Sequence, residues 1–390
     1  MKQTGDLNLV KKINKSIVLE HIKDNAPVSR AKIAELTGLT KATVSTLVNE
    51  LIESRMVYEI GTGASSGGRK PMMLLFNQAA GYAVGVDLGV SQISAVLTDL
   101  KGEIIEEYQT AHNNESIDSV ISKLIACIRE TIQRAPDSPY GVVGIGIGIP
   151  GISDDQGNVL FAPNLGWQDV PLQQRVEQEF EIPVVIDNEA NAGAVGEKQF
   201  GSGKNVSHLI YVSISSGIGT GVIIKEELYR GVSGFSGEMG HLSIELNGRA
   251  CRCGNVGCWE LYASEQALVD EARKQWNDPS VDLKSLAQRA SNGEQGAIEL
   301  IQQTGRYLGI GLVNVINCFN PELIIIGGSI VSAKEWLLPP ILSMMKQRSL
   351  PFPRAQLSIV FTELEGRSTL LGAASFAISR FFASTKVIVE

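Results

Sequence analysis

Four side chains that commonly bind metal ions lie close together in the second half of the chain. His241 is followed by Cys251, Cys253 and Cys258 in the segment HLSIELNGRACRCGNVGCWE, where two glycines allow tight turns. Three thiolates and one imidazole fill the four positions of a tetrahedral structural Zn²⁺ site and leave none for a catalytic water. Three incidental cysteines are the less favoured interpretation, because clustered free thiols without a metal are prone to oxidation.

Carboxylate and amide side chains surround this segment and also follow a predicted strand. They occur in SGEMGH, in CWEL, after VVID and in APNLGW. Acceptors and amides of this kind at strand ends can bind sugar hydroxyls. Each residue taken singly is better explained as a surface or helix-capping group, and that alternative stays open at this point. The five candidates are Asn164, Asn188, Glu189, Glu238 and Glu260.

The elements that would position these residues alternate between strand and helix. Apolar segments such as VGVDLG, VVGIGIGIPG, VVIDN and LIYVSISSGIGTGVII predict strands separated by glycine-rich turns. After Cys258 the pattern becomes helical, with one late strand, LIIIGG, and a final helix over Ser368–Thr385. This alternation predicts an α/β protein of two lobes, and the similarity of VDLGVS and VSISSGIG suggests that one lobe repeats the other.

The first residues predict a different kind of domain. Ile13, Ile17, Val18 and Ile22 recur at helical spacing before Pro27. Ser29 is a favourable N-cap for a short helix over Arg30–Leu36, in which Ala31, Ile33, Ala34 and Leu36 would be buried. A turn at Gly38 then leads to a helix that Thr40 caps and that runs to about Ser54. Two short helices joined by a glycine turn are typical of a helix-turn-helix.

The outward face of the later helix carries short polar side chains that suit the major groove. Two strands, Met56–Ile60 and Met72–Phe76, enclose the basic loop GTGASSGGRKP, which predicts a wing that reaches a minor groove. Residues 1–72 carry a net charge of +4 and the remainder −12, which favours the head as the DNA-binding part. A small helical bundle with a surface hairpin is the alternative. The predicted DNA contacts are Arg30, Lys41, Thr43, Ser45, Thr46, Arg69 and Lys70.

Composition excludes several other classes of protein. The 390 residues are 44% hydrophobic and 19% charged, which argues against wholesale disorder. No apolar run approaches the length of a membrane span, and the N-terminus lacks the apolar region of a secretion signal, so we expect a cytoplasmic protein without a membrane partner. Cys127 and Cys318 lie in apolar helical segments and are predicted to be core residues.

Several of these motifs together resemble the ROK family of repressors, open reading frames and kinases, over nearly the whole chain. The segment VSISSGIGTGVIIKEELYRGVSGFSGEMGH is similar to the signature stretch of the family, as is GH followed by CxCGxxGCxE. The winged head, SSGGRKPMMLLFN, DNEANAGAVGEK and CGNVGCWELYASE are similar to the repressor branch in bacilli that responds to xylose.

The resemblance implies an α/β fold with an N-terminal winged helix-turn-helix followed by a two-lobed actin-like ATPase body. The domains would be residues 1–77, residues 78–195 with helix 368–385, and residues 196–367 with the zinc loop. It also implies a homodimer on a palindromic operator, and xylose or a related monosaccharide bound in the cleft by the five candidates together with His241. His241 would face both ways, with one ring nitrogen on zinc and the other toward a sugar hydroxyl.

Two departures from the family pattern favour a repressor over an active kinase. ROK kinases carry an aspartate as general base in a segment like NDAN, and here Glu189 stands in NEAN. Their first phosphate loop resembles DxGGTK, whereas this chain has Asp87 followed by LGVSQ, so Val90 and Gln92 replace a glycine and a lysine. An ATP-dependent sugar kinase with a regulatory head and a zinc-stabilised protein scaffold remain the competing hypotheses.

Overall fold

The computed structural model describes residues 7–62, 71–112 and 115–385. The head begins the chain and contains three helices and a three-stranded sheet in the order β1-β3-β2. Its elements are α1 (Leu7–Asn25), β1 (Val28–Ser29), α2 (Arg30–Thr37), α3 (Lys41–Glu53), β2 (Val57–Thr62) and β3 (Met72–Phe76).

The local signals predicted for the head are confirmed. The Ser29 hydroxyl accepts a hydrogen bond from the backbone N–H of Lys32, and Thr40 caps α3 in the same way through the N–H of Thr43. Gly38 ends α2 with a φ of +71°, a conformation that a side chain disfavours. Val44, Leu47, Val48 and Leu51 form the buried stripe of α3, as predicted.

The predicted buried side of α2 is only half correct. Ile33 and Ala34 are buried, but Ala31 and Leu36 are exposed, because only one edge of this short helix packs on the rest of the head. Ile17 on α1 is also exposed. Residues 63–70 lie outside the described part of the chain, and with them the predicted wing residues Arg69 and Lys70.

The first lobe is built on a five-stranded sheet in the order β11-β7-β4-β5-β6, with a small sheet β10-β9-β8 at its side. β4, β5 and β6 are antiparallel neighbours, whereas β7 and β11 continue the sheet in parallel. The elements are β4 (Tyr82–Leu88), β5 (Gln92–Asp99), β6 (Ile104–Ala111), α4 (Ile117–Ile132), β7 (Val142–Ile149), β8 (Ile152–Ser153), β9 (Val159–Ala162), β10 (Trp167–Val170), α5 (Leu172–Phe180), β11 (Val184–Asn188) and α6 (Glu189–Gln199).

The second lobe has a five-stranded sheet in the order β14-β13-β12-β15-β16. Most of its helices cover one face of this sheet and share a large apolar core with it. The elements are β12 (Leu209–Ile214), β13 (Ile218–Ile224), β14 (Glu227–Leu228), α7 (Glu260–Ala263), α8 (Glu265–Trp276), α9 (Leu283–Ser291), α10 (Gln295–Phe319), β15 (Leu323–Gly327), α11 (Lys334–Arg348), α12 (Pro351–Ala355) and β16 (Ser358–Phe361). The last described helix, α13 (Ser368–Thr385), packs on the first lobe.

The two large sheets have the same topology. In each, three antiparallel strands joined in sequence are followed by two parallel strands on the side of the first strand. The suggested repetition of one lobe by the other is thus visible in the strand order. One late strand was predicted, but β16 is a second one: it is only four residues long, and it lies at the sheet edge with Ser358 exposed and its three apolar residues half-buried.

Two further expectations differ from the structure. Cys127 is buried in α4 as predicted, but Cys318 is exposed, because it lies on the outer face of α10 away from Leu312 and Ile316. The expected boundary after residue 195 falls inside α6, a continuous helix that contacts both lobes. α13 returns to the first lobe and packs on β4 and β7.

Candidate functional site

A cavity of about 320 Å³ lies in the cleft between the two lobes. Its volume is at the lower end of the range for small-ligand pockets. The first lobe supplies residues from the β9–β10 turn and from the junction of β11 and α6. The second lobe supplies residues near a 3₁₀ turn at Met239–His241 and at the start of α7. All six predicted sugar-binding residues line this cavity: Asn164, Asn188, Glu189, Glu238, His241 and Glu260.

Asn188 also caps a helix, an alternative to sugar binding that the sequence left open. Its side-chain oxygen accepts from the backbone N–H of Ala190 and so caps α6 at 2.8 Å, and its amide nitrogen donates to the carbonyl of Gly151 at 3.0 Å. These two bonds hold the junction of β11 and α6 in place. The second amide hydrogen of Asn188 remains available to a ligand.

Glu189 lines the cavity, and the carboxylate of Asp87 lies close enough to interact with it. Burial, with smaller contributions from the carboxylates of Asp87 and Glu238, raises the pKa of Glu189 to about 8. Burial also raises the pKa of Asp87 to about 6. The Oδ1 atom of Asp87 is buried without a hydrogen-bond partner. A protonated Glu189 could donate a hydrogen bond to a hydroxyl oxygen as well as accept one.

Sequence reasoning missed three contributors to the cavity. Phe161 on β9 supplies the aromatic side chain that often accompanies sugar-binding groups. Arg252, which follows Cys251 in the sequence, supplies a cation. Gly217 leaves space for the polar groups: a Cβ there would lie 2.9 Å from Glu260 Oε2 and 3.4 Å from Asn164 Nδ2. The neighbours of Gly217 come from distant segments that no local motif reveals.

The four predicted metal ligands converge. The ligand atoms of His241, Cys251, Cys253 and Cys258 all lie within 4.8 Å of one another. Cys253 Sγ and Cys258 Sγ are 3.8 Å apart, and Cys251 Sγ is 3.7 Å from His241 Nδ1. A tetrahedral ion with Zn–S bonds of about 2.3 Å and a Zn–N bond of about 2.0 Å separates two sulfurs by about 3.8 Å and a sulfur and a nitrogen by about 3.5 Å. The donor set and its spacing therefore fit Zn²⁺.

Backbone geometry explains how a short loop brings the thiols together. Gly254 and Gly257 have φ values of +92° and +74°, so both adopt the left-handed conformation that favours glycine. The Asn255 side chain donates to the carbonyl of His241 at 3.1 Å and to Ser243 Oγ at 3.0 Å. The loop is thus tied to the segment that carries the histidine.

His241 connects the cluster to the cavity. Its Nδ1 faces Cys251 Sγ and also lies 3.3 Å from Glu260 Oε1, whereas Nε2 is 4.0 Å from Glu238 Oε2. The ring thus presents one nitrogen to the thiols and the other to the polar wall of the cleft. The two-sided role that the family resemblance implied for the residue stays a prediction, because Nδ1 contacts the Glu260 carboxylate as well as the thiol.

In the head, some of the residues predicted to contact DNA are exposed, whereas others are half-buried or bonded to residues of the head itself. Lys41 and Thr46 are exposed on α3, whereas Thr43 and Ser45 are half-buried. The guanidinium of Arg30 donates to Asn49 Oδ1 at 2.9 Å and pairs with Glu59 Oε1 at 2.8 Å. Those partners hold Arg30 within the head, so its prediction as a DNA contact is not supported by its geometry.

Two features bear on nucleotide binding. Gln92, which stands where the family kinases have lysine, donates to Ser94 Oγ at 3.0 Å and to Gln109 Oε1 at 2.8 Å. In the second lobe, Ser329 donates to the carboxylate of Glu265 directly after the Gly327–Gly328 pair. A carboxylate at this place disfavours a phosphate group by charge repulsion.

The sequence matches the model of the ROK family over residues 83–380, more than half of the chain. The chain belongs to the ROK family. Residues 12–65 match the model of the MarR family, in agreement with the winged helix-turn-helix of the head. The predicted family and fold class are thus confirmed.

Three relatives illustrate the range of the family. The chain is 46% identical to the xylose repressor of Bacillus spizizenii, over 98% of this chain and 99% of that protein. A solved ROK transcriptional regulator, described as a homologue of the Escherichia coli MLC protein, is 31% identical with a TM-score of 0.81, over 96% of this chain and 97% of its own. A ROK glucokinase from Streptomyces griseus, solved with glucose and AMPPNP, is 30% identical with a TM-score of 0.70, over 76% of this chain and 99% of its own.

The relatives that match the full length are named regulators, which favours a regulator over an enzyme. Among the described residues, no helix is long and apolar enough to cross a membrane.

Proposed function

We propose that this protein is a transcriptional repressor that binds operator DNA through its head and responds to a sugar bound between its lobes. One observation carries the proposal: a single chain combines a winged helix-turn-helix with a ROK cleft that six polar side chains line. The similarity to a xylose repressor over nearly the full length supports xylose, or a closely related monosaccharide, as the effector.

In this proposal the six cleft residues bind the sugar hydroxyls from both lobes. Asn164, Asn188 and Glu189 act from the first lobe, and Glu238, His241 and Glu260 from the second. A sugar that contacts both sets draws the lobes together. The His241 and Cys₃ cluster would hold Zn²⁺, which supplies a fixed anchor for the loop and for one nitrogen of the His241 ring.

The DNA-binding part of the proposal assigns the base contacts to the exposed face of α3. Lys41 and Thr46 are its best-placed residues, with Arg69 and Lys70 as wing contacts. A homodimer on a palindromic operator would place two such helices about one helical turn of DNA apart, or a multiple of it. We also propose a cytoplasmic location, and a division into head, first lobe and second lobe at residue 77 and after Gln199, so that α6 is not cut.

A sugar kinase with a regulatory head is the second candidate. The similarity to a glucokinase solved with glucose and AMPPNP favours it. The carboxylate of Glu265 beside the Gly327–Gly328 pair and the replacement of lysine by Gln92 argue against it. A phosphoryl-transfer assay with ATP over a panel of pentoses and hexoses separates the two, because only the kinase forms a sugar phosphate.

The proposal is tested by operator binding in a gel-shift assay with and without xylose. We expect saturating xylose to release the DNA, and His241→Ala and Glu189→Ala to bind DNA but ignore the sugar. Arg69→Ala should weaken operator binding and leave sugar binding, measured by calorimetry, unchanged. Operator binding that none of the monosaccharides in the panel alters would refute the proposed function.

A further inference from the structure

Helix α6 is clamped between the second lobe and α13 by contacts between backbones. On one side, a Cβ at Gly221 of β13 would collide with the carbonyl of Ala190. On the other side, a Cβ at Gly372 of α13 would collide with the carbonyl of Ala192, and one at Gly196 with that of Ser368. Because no side chain separates these backbones, a displacement of α6 reaches both of its neighbours.

Hydrogen bonds join the start of α13 to both ends of α6, one of which is the cleft end at Glu189. The Thr369 hydroxyl donates to the backbone carbonyl of Glu189 at 3.1 Å, and Thr369 is itself buried. The Ser368 hydroxyl donates to the buried carboxylate of Glu197 at 2.7 Å. Thr369 thus touches the main chain of a residue whose side chain lines the cleft.

The other end of α13 lies in the head. The ring of Phe382 is 6.3 Å from that of Phe76 on β3, and the ring of Phe381 is 5.5 Å from that of Tyr140. The Tyr140 hydroxyl donates to the carbonyl of Ser54, the residue that ends α3, at 2.9 Å. The head core continues into α13 through buried Ala377 and Ile378.

Between its two ends α13 has little freedom to bend. It lies so close to the first sheet that Cβ atoms at Gly85 and Gly146 would collide with the carbonyls of Leu370 and Ala373. Thirteen residues separate Thr369 from Phe382, a distance of about 20 Å along a helix. A rotation or shift of the helix at Thr369 therefore also moves Phe381 and Phe382.

We propose that α13 transmits occupancy of the sugar cleft to the DNA-binding head, and that Thr369 is the positioning residue at its cleft end. The inference rests on the proposed function and adds the route of its regulation. Closure of the second lobe on a sugar presses α6 through β13, α6 displaces α13 through the Glu189–Thr369 contact, and Phe381 with Tyr140 moves the end of α3. The geometry of the head on its operator changes in consequence.

The test compares Thr369→Val, which removes the hydroxyl at nearly constant volume, with Thr369→Ser, which keeps it. Xylose affinity is measured by calorimetry, and operator affinity by fluorescence anisotropy with and without saturating xylose. We expect Thr369→Val to keep its sugar affinity and its sugar-free operator affinity within about twofold, while the ratio of the two operator affinities falls at least about threefold. Thr369→Ser should retain the wild-type ratio because it keeps the hydroxyl. If the side chain acted only by filling space, Thr369→Val would retain the ratio instead.

A second variant acts at the head end. Phe381→Leu should reduce the same ratio, and the double variant Thr369→Val/Phe381→Leu should lose little more than either single variant, because both interrupt one route. If xylose lowers the operator affinity of the wild type, and lowers that of folded Thr369→Val or Phe381→Leu by the same factor, this inference is wrong but the proposed function stands. A wild-type protein whose operator affinity no sugar changes would overturn the proposed function itself.

Discussion

The raised pKa of Glu189 makes a quantitative prediction about stability. A carboxyl that binds its proton more tightly in the folded state than in the unfolded chain favours folding below its unfolded pKa. That contribution is lost as the pH rises through the folded-state pKa. For Glu189 the relevant window runs from its ordinary value of 4.5 to about 8. The substitution Glu189→Gln removes the titration at nearly constant shape and should abolish this part of the pH dependence.

The size of the effect follows from the shift and the surroundings. At 1.36 kcal/mol per pKa unit, the full shift would correspond to about 5 kcal/mol. Glu189 is only half-buried beside an open cleft and shares its titration with Asp87, so we expect about 1–2 kcal/mol. For 390 residues, each with an unfolding entropy of about 2.1 cal/mol/K, that is about 1–2.5 °C in melting temperature.

The assay is thermal unfolding of the wild type, Glu189→Gln and a control, Glu130→Gln, at about pH 5.5, 7 and 8.5. Glu130 is exposed on α4, so its substitution should leave the pH profile of the wild type unchanged. Titration of the metal ligands is common to all three proteins and cancels in the differences. The gain in stability of Glu189→Gln over wild type should grow with pH, and an offset that stays constant across this range would contradict a raised pKa.

Three further outcomes are expected. Cys253→Ser should lower the zinc content measured by elemental analysis, whereas Cys318→Ser, outside the cluster, should retain it; equal metal content would remove the ligand assignment. Lys41→Ala should weaken operator binding and reduce the slope of log affinity against log salt by about 1, and an unchanged slope would exclude a phosphate contact. Gly372→Ala should cost about 1–3 kcal/mol in urea unfolding, because the new methyl group meets the carbonyl of Ala192, and an unchanged midpoint would show that the helices can separate freely.

The parts of the molecule that the sequence predicts correctly are governed by local signals. Ser29, Gly38 and Thr40 define the turn of the head through hydrogen bonds and a backbone angle within a few residues. The thiols of the loop lie within eight residues of one another, so their spacing alone predicts that they meet. These features need no knowledge of how distant segments pack.

The parts that the sequence does not predict depend on distant partners. No local motif gives Arg30 a partner, but Glu59, 29 residues away, pairs with it. Phe161 on β9 and Asp87 on β4 lie near Glu189 because separate segments of the first lobe fold together, and no spacing rule connects them with it. Leu36 carries the apolar character of a core residue but is exposed on α2 in the described part of the chain.

The continuity of the head core with Ala377 and Ile378 has a consequence for how such proteins can be recombined. An exchange of the N-terminal 77 residues between two family members would leave a foreign helix end beneath the transplanted sheet, with mismatched partners for Phe76. A functional chimera should therefore also take the last turns of the C-terminus from the donor. New operator specificities would then arise by exchange of two chain segments, one from each terminus, that fold as a single unit.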